Sequence, residues 1–163
     1  MRQSNGLLRA FFAALALLLL PVARADTLPE AVTREVRSYA LTEDALGRYV
    51  EATRKLSVIP LKCDYDNPDI GSLTEAAARI DAVPGAKAAV KSAGLTSREY
   101  VVFAFSLIEN AFASYALEKP GGKVPAGVSM SNVEFLRKNS GVIEQLANET
   151  EVSECDGNDG SDG

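Results

Sequence analysis

From residue 42 to residue 150 the apolar positions recur every three to four residues, the period of an α-helix that buries one face. Thr42 stands before Glu43 and Asp44, an N-cap with acids in the first turn, where the helix dipole favours them. The segment behind it places Ala45, Leu46, Tyr49, Val50, Thr53 and Leu56 at helical spacing and ends before Pro60. Ser72-Leu73-Thr74-Glu75 reads as a capping box opening an alanine-rich helix that stops near Val83. Pro84 suits the first turn of a short helix that Gly94 closes in the left-handed conformation. Thr96-Ser97-Arg98-Glu99 and Ser131-Asn132-Val133-Glu134 have the same capping-box spacing.

The helix opened by Thr96 runs to about Glu118. Projected at 100° per residue, Leu107, Tyr100, Ala111, Ala104, Tyr115, Ile108, Val101, Phe112 and Phe105 share an arc of roughly 160°. Arg98, Glu99, Ser106, Glu109 and Asn110 fall opposite. The width of the apolar arc predicts a central amphipathic helix, ending at Pro120-Gly121-Gly122. A last helix starts near Asn132 with Val133, Leu136, Ile143 and Leu146/Ala147 inward, and Asn139-Ser140-Gly141 is a place for it to kink or split. Arg34 to Leu41 fits either a short edge strand or an opening helix. The expectation is an all-α single domain of four to five helices over residues 26–150.

The segment before it follows a different grammar. Arg2 and Arg9 lead into an apolar run from Ala10 to Leu20, Pro21 breaks it, and Ala23-Arg24-Ala25 supplies small residues before Asp26. This predicts a signal peptide over residues 1–25, cleaved on export. The run is too short to span a bilayer, which takes roughly 20 apolar residues. The mature chain is then expected in the periplasm or outside the cell, with no membrane attachment.

Composition narrows the chemistry. The chain of 163 residues has no histidine and no tryptophan, two cysteines, and 17 basic against 22 acidic side chains. No histidine means no Ser-His-Asp triad, no Cys-His pair and no imidazole ligand. Two cysteines are too few for a four-cysteine zinc site. Without a basic surplus, nucleic acid is not an expected partner. Seven of the acids, and no base, lie between Asn139 and Gly163, so the acidity belongs to the C-terminus. Residues 151–163, ending Asp156-Gly-Asn-Asp-Gly-Ser-Asp-Gly163, are too poor in apolar side chains to fold alone and are read as a disordered acidic tail.

Three short stretches carry a likeness: Ala93-Gly94-Leu95-Thr96-Ser97-Arg98-Glu99-Tyr100-Val101, Tyr39-Ala40-Leu41-Thr42 and Asn132-Val133-Glu134-Phe135. Over residues 39–148 the chain resembles a group of small exported proteobacterial helical proteins. The resemblance implies export and helical architecture, and no activity.

Candidate sites are few. Asp64, Asp66 and Glu75 occupy positions 1, 3 and 12 of a twelve-residue loop, but Pro68 and Asp69 stand where an EF-hand needs an oxygen ligand and a glycine. What remains is a polar loop with Ser72 capping the next helix, or a looser calcium site using Asp64, Asp66 and Asp69, with the acidic tail as a second source of carboxylates. The same carboxylates give the alternative of a carboxylate-only hydrolase, though a loop open to water offers no reason for their pKa values to separate. Tyr100, Phe105, Phe112 and Tyr115 fit plain core, or the lining of a cavity for a small apolar ligand. Glu109 reads as solvated or ion-paired. Cys63 and Cys155, 92 positions apart, are expected to pair as an intramolecular disulfide in an oxidising compartment. The leading expectation is a non-enzymatic module that binds a protein partner or a small apolar ligand and needs no cofactor.

Overall fold

A computed structural model describes residues 30–59 and 71–150. The predicted signal peptide, Cys63, Asp64, Asp66, Asp69, Cys155 and the acidic tail lie outside the described residues. Those described form seven helices and no strand: α1 (Glu30–Ser38), α2 (Glu43–Ser57), α3 (Leu73–Ala82), α4 (Ala86–Ser92), α5 (Ser97–Leu117), α6 (Met130–Lys138) and α7 (Ser140–Glu149). The all-α class follows from the sequence. The number of helices exceeds four to five because the Arg34 region is helical, burying Val32 and Val36 four residues apart, and because the chain turns at Asn139 into two helices.

Local chemistry sets most boundaries as the sequence predicts. Thr42 Oγ1 accepts from the Ala45 amide at 3.2 Å and Ser72 Oγ from the Glu75 amide at 3.1 Å. At Thr96 both halves of the capping box form: the Glu99 amide donates to Thr96 Oγ1, and Glu99 Oε2 accepts from the Thr96 amide at 2.7 Å. At Ser72 only half forms, because the Glu75 carboxylate turns to the Gly71 amide and to Arg79. α4 closes in a Schellman turn, with Leu95 N–H donating to Val90 O and Gly94 N–H to Lys91 O while Gly94 takes a φ of 81°.

Two boundaries differ from expectation. Pro84 is not in the first turn of α4; with Gly85 it forms the middle of a tight turn that the Ala86 amide closes onto Val83 O, and Gly85 takes the positive φ such a turn requires at its third position. Ser131 does not cap α6. The helix starts at Met130, and the Ser131 hydroxyl pairs with that of Ser129 at 2.7 Å instead of bonding the backbone.

α5 is the organising element, packed against α1, α3 and α6 and touching α2 and α4. Its N-terminal half is buried almost all round: Tyr100, Val101, Val102, Phe103 and Ala104 are all core. Tyr49 of α2 stacks on Tyr100 with ring centroids 4.9 Å apart, and Phe103 lies the same distance from Tyr49 and edge-on to Tyr39. Tyr100 and Thr53 share a buried hydroxyl contact at 3.1 Å. Burial holds the Tyr49 phenol well above its usual pKa and raises that of Tyr100. By length and composition α5 could cross a membrane, yet 61% of its apolar window is buried inside this fold, as befits a core helix.

Candidate functional site

Beyond Phe105 the helix changes its surroundings. On one side it is gripped by α1 and α6, and there the side chains are small and polar. Ser106 and Asn110 are completely buried, and Ser114 nearly so. The Ser106 hydroxyl lies 2.9 Å from Val36 O of α1 and 2.8 Å from Val102 O of its own helix. Arg137 of α6 donates through Nε to Ser114 Oγ at 2.9 Å. Arg37 of α1 donates to Glu109 Oε1 at 2.6 Å and also to Ala126 O, tying the 118–129 connection to the helix pair. Asn110 Nδ2 donates to Ser106 O at 2.7 Å, while Asn110 Oδ1 is a buried acceptor with no protein donor.

The projection set Ser106 and Asn110 opposite the apolar arc, and the structure turns both to the interior. The physical reason is size: serine and alanine at positions 106, 113 and 114 let neighbouring helices approach closely, and Val133 of α6 is fully buried. Glu109 is ion-paired, as one of its two readings had it.

The other side of the same half carries Phe105, Ile108, Phe112 and Tyr115, spaced three or four residues apart and therefore on one face. Phe105 and Ile108 are half-buried against the core; Phe112 is 47% and Tyr115 38% exposed. Lys119 completes the row one turn on, its Nζ lying 4.3 Å from the Tyr115 ring centroid. Of the four aromatic candidates, then, Tyr100 is apart, in the core against Tyr49, and the other three share a face that turns outward along its length. Ile108, central to that face, was in the predicted apolar arc without being singled out. Arg37 and Arg137 carried no signal, because each acts on a residue far along the chain.

Other clusters are structural in their chemistry. The Ser97 hydroxyl donates to Asp81 Oδ1, a contact that superficially resembles a nucleophile and its base. Lys87 also bonds Asp81, at 2.7 Å, and with Ser97 holds its carboxyl below the usual range, which makes it a poor proton acceptor; Ser97 is itself buried. Among the described residues no three histidine, cysteine, aspartate or glutamate side chains converge as a metal site would need. Glu75 is held by the Gly71 amide and Arg79 and is lowered in pKa for that reason.

No protein-family model matches the chain, and neither do any curated protein or solved structure.

Proposed function

We propose that this chain is an exported, non-enzymatic binding module whose partner-facing surface is the outer face of α5, formed by Phe105, Ile108, Phe112 and Tyr115. One observation carries the reading: the distal half of α5 keeps serine and asparagine inside and aromatic side chains outside. Burying polar groups costs free energy unless every one is bonded, and Asn110 Oδ1 is not. Exposed large aromatics in a row gain nothing for the isolated fold, whereas an apolar ligand or a protein partner gives them burial.

Export enters the reading through the leader at residues 1–25 and the resemblance to exported proteobacterial helical proteins, and places the mature chain in the periplasm or outside the cell. A Cys63–Cys155 disulfide belongs with it. Glu149 and Arg54 are bonded at 2.7 Å, so the described chain ends beside α2, within a few residues of each cysteine in sequence. Four residues from Ile59 and five from Thr150 reach about 14 and 17 Å when extended. Oxidation removes two electrons and two protons from the thiols, passed to a disulfide-carrying oxidant of that compartment.

The test is a photo-crosslinking residue placed at position 112 or 115, with native mass spectrometry of protein purified from its own host. The expected result is one recurrent crosslinked protein or one co-purifying apolar molecule, lost in Phe112→Ser and Tyr115→Ser while the melting temperature holds. Recovery of a bare monomer with no crosslink from either position overturns the proposal. Peptide mapping without reductant tests the disulfide separately, and two alkylatable thiols in fresh monomer refute it.

A further inference from the structure

α7 lies parallel along α2 and is fastened to it at both ends. At the near end Glu43 Oε1 accepts from Lys138 Nζ at 2.8 Å and from Asn139 Nδ2 at 3.3 Å, at the junction where α6 gives way to α7. At the far end Arg54 donates to Glu149 Oε2 at 2.7 Å, and Glu149 is the last residue of α7. Helical spacing puts Leu46 and Val50 between the two clips on α2, and Ile143 and Leu146 between them on α7; all four are buried.

α7 has little of its own to keep it helical. No side chain bonds its N-terminus, Gly141 sits in its first turn, and its last turn holds Glu149 and no base. Glu149 therefore faces the negative end of its own helix dipole, and the cation that offsets it, Arg54, comes from α2. Ten residues are also fewer than an isolated helix needs in water. Apolar anchorage is limited to Ile143, Leu146 and Ala147. The α5 core, by contrast, is packed from several directions.

We propose that α7 is a separable clasp, which swings off α2 about the Asn139–Gly141 junction as one unit while α2, α5 and α6 stay folded. Opening uncovers the apolar strip of Leu46 and Val50, a groove one helix wide that α7 itself occupies when closed. The ion pair that opening breaks, Arg54–Glu149, is solvent-exposed, whereas Glu43 and Lys138 both lie on the side of the hinge that stays in place, so rising salt loosens the clasp through its far end. The proposal is independent of the outer face of α5.

Hydrogen–deuterium exchange of the exported chain at neutral pH, read by peptide mass spectrometry, tests it. The expected result is exchange in 140–149 at least about tenfold faster than in 100–110 after correction for intrinsic rates. Arg54→Gln raises exchange in α7 by up to about fivefold, the range for one exposed pair, Glu43→Gln, on the fixed side of the hinge, raises it less, and both leave α5 unchanged. Ile143→Ala raises it further, again with α5 unchanged. Exchange of α7 and α5 at one common protection, moving together in Ile143→Ala, is global unfolding and overturns the proposal. So does an α7 whose exchange ignores Arg54→Gln.

Discussion

Asn110→Asp separates the structure from a helical-wheel reading of the same sequence. The substitution changes neither shape nor size, only what the group does with a proton. If Asn110 stood in a solvated stripe, an aspartate there would be harmless. In the structure position 110 is completely buried, with its Nδ2 on Ser106 O and its Oδ1 without a donor. A carboxylate in that place can receive no bond from Ser106 O and is stripped of water, so its folded pKa rises far above the unfolded value of about 3.9. A raised folded pKa means that the variant matches the parent below the unfolded value and loses stability as pH rises towards the folded one. The slope is about 1.4 kcal/mol per pH unit, which accumulates to roughly 4 kcal/mol by pH 7. A loss of that size is a large part of the 5–15 kcal/mol that typically holds a domain together, to order of magnitude. Thermal melts followed by circular dichroism, parent against variant at matched pH, should therefore coincide near pH 4, where the protonated acid can donate to Ser106 O as the amide does. They should part by about 10–15 °C at pH 7. Melts within two or three degrees of each other at both pH values, roughly the width of a surface substitution, would show position 110 to be wet and the inside-out description of α5 to be wrong.

Further expectations concern the frame that presents this helix. Phe103→Ala removes a ring wedged between Tyr39 and Tyr49 with almost no exposure, and should cost about 3–5 kcal/mol in denaturant unfolding; a loss below about 1 kcal/mol would show that the aromatic cluster is not the core. Thr96→Ala removes the hydroxyl that accepts from the Glu99 amide at the start of α5, while the backbone bond from residue 96 to the Glu99 carboxylate can persist, and should cost about 1 kcal/mol, with Glu99 amide exchange rising first. Glu43, Asp81, Glu99 and Glu149 all have lowered pKa values, from hydrogen bonds to Lys138 and Asn139, to Lys87 and Ser97, to Thr96, and to Arg54 and Gln145. Depressed carboxyl groups give stability above their unfolded pKa and lose it as pH falls through the folded one, so the parent melt should be flat from neutrality to about pH 5 and decline below about pH 4; a melt unchanged at pH 2.5 would refute this.

The parts of the fold legible in the sequence are those decided within one turn of chain. Thr42, Ser72 and Thr96 cap because the donor each satisfies is three residues away, and Gly94 closes α4 because the Schellman turn spans five residues. Where the same short pattern failed, at Ser131, a second serine two residues back offered its hydroxyl another partner. The joints that fix the tertiary arrangement were not legible for the converse reason. Arg37 and Glu109 are 72 positions apart, and Asn132 reaches back to bond the Leu41 amide and Tyr39 O. Neither pairing leaves a periodic trace. The cysteines and the aspartates of the acidic loop were the most conspicuous residues in the sequence, and they lie outside the described residues.

The apolar residues of the outer face of α5 were visible in the sequence, and their exposure was not, for a single reason. A helical wheel assigns one environment to each angle along the whole helix, whereas α5 passes through two. Around Tyr100 to Ala104 neighbours lie on nearly every side, and the apolar arc is core as its width suggested. Past Phe105 the helices on that arc no longer cover it, while α1 and α6 close on the opposite side with Val36 O, Arg37 and Arg137. The same angular sector thus goes from inside to outside within one helix. Hydropathy could not report the change, because the residues that become exposed are as apolar as those that stay buried. What could have reported it is the opposite stripe. Ser106, Asn110 and Ser114 recur every four residues with Ala113 beside them, and a stripe of small polar residues without charge suits close helix packing better than it suits water, where lysine and glutamate are the usual occupants. The charge that α5 itself places beside it, Glu109, is met by an arginine from α1. A long helix whose polar side is short of charge and whose apolar side continues past its covering neighbours has its wet face on the apolar side.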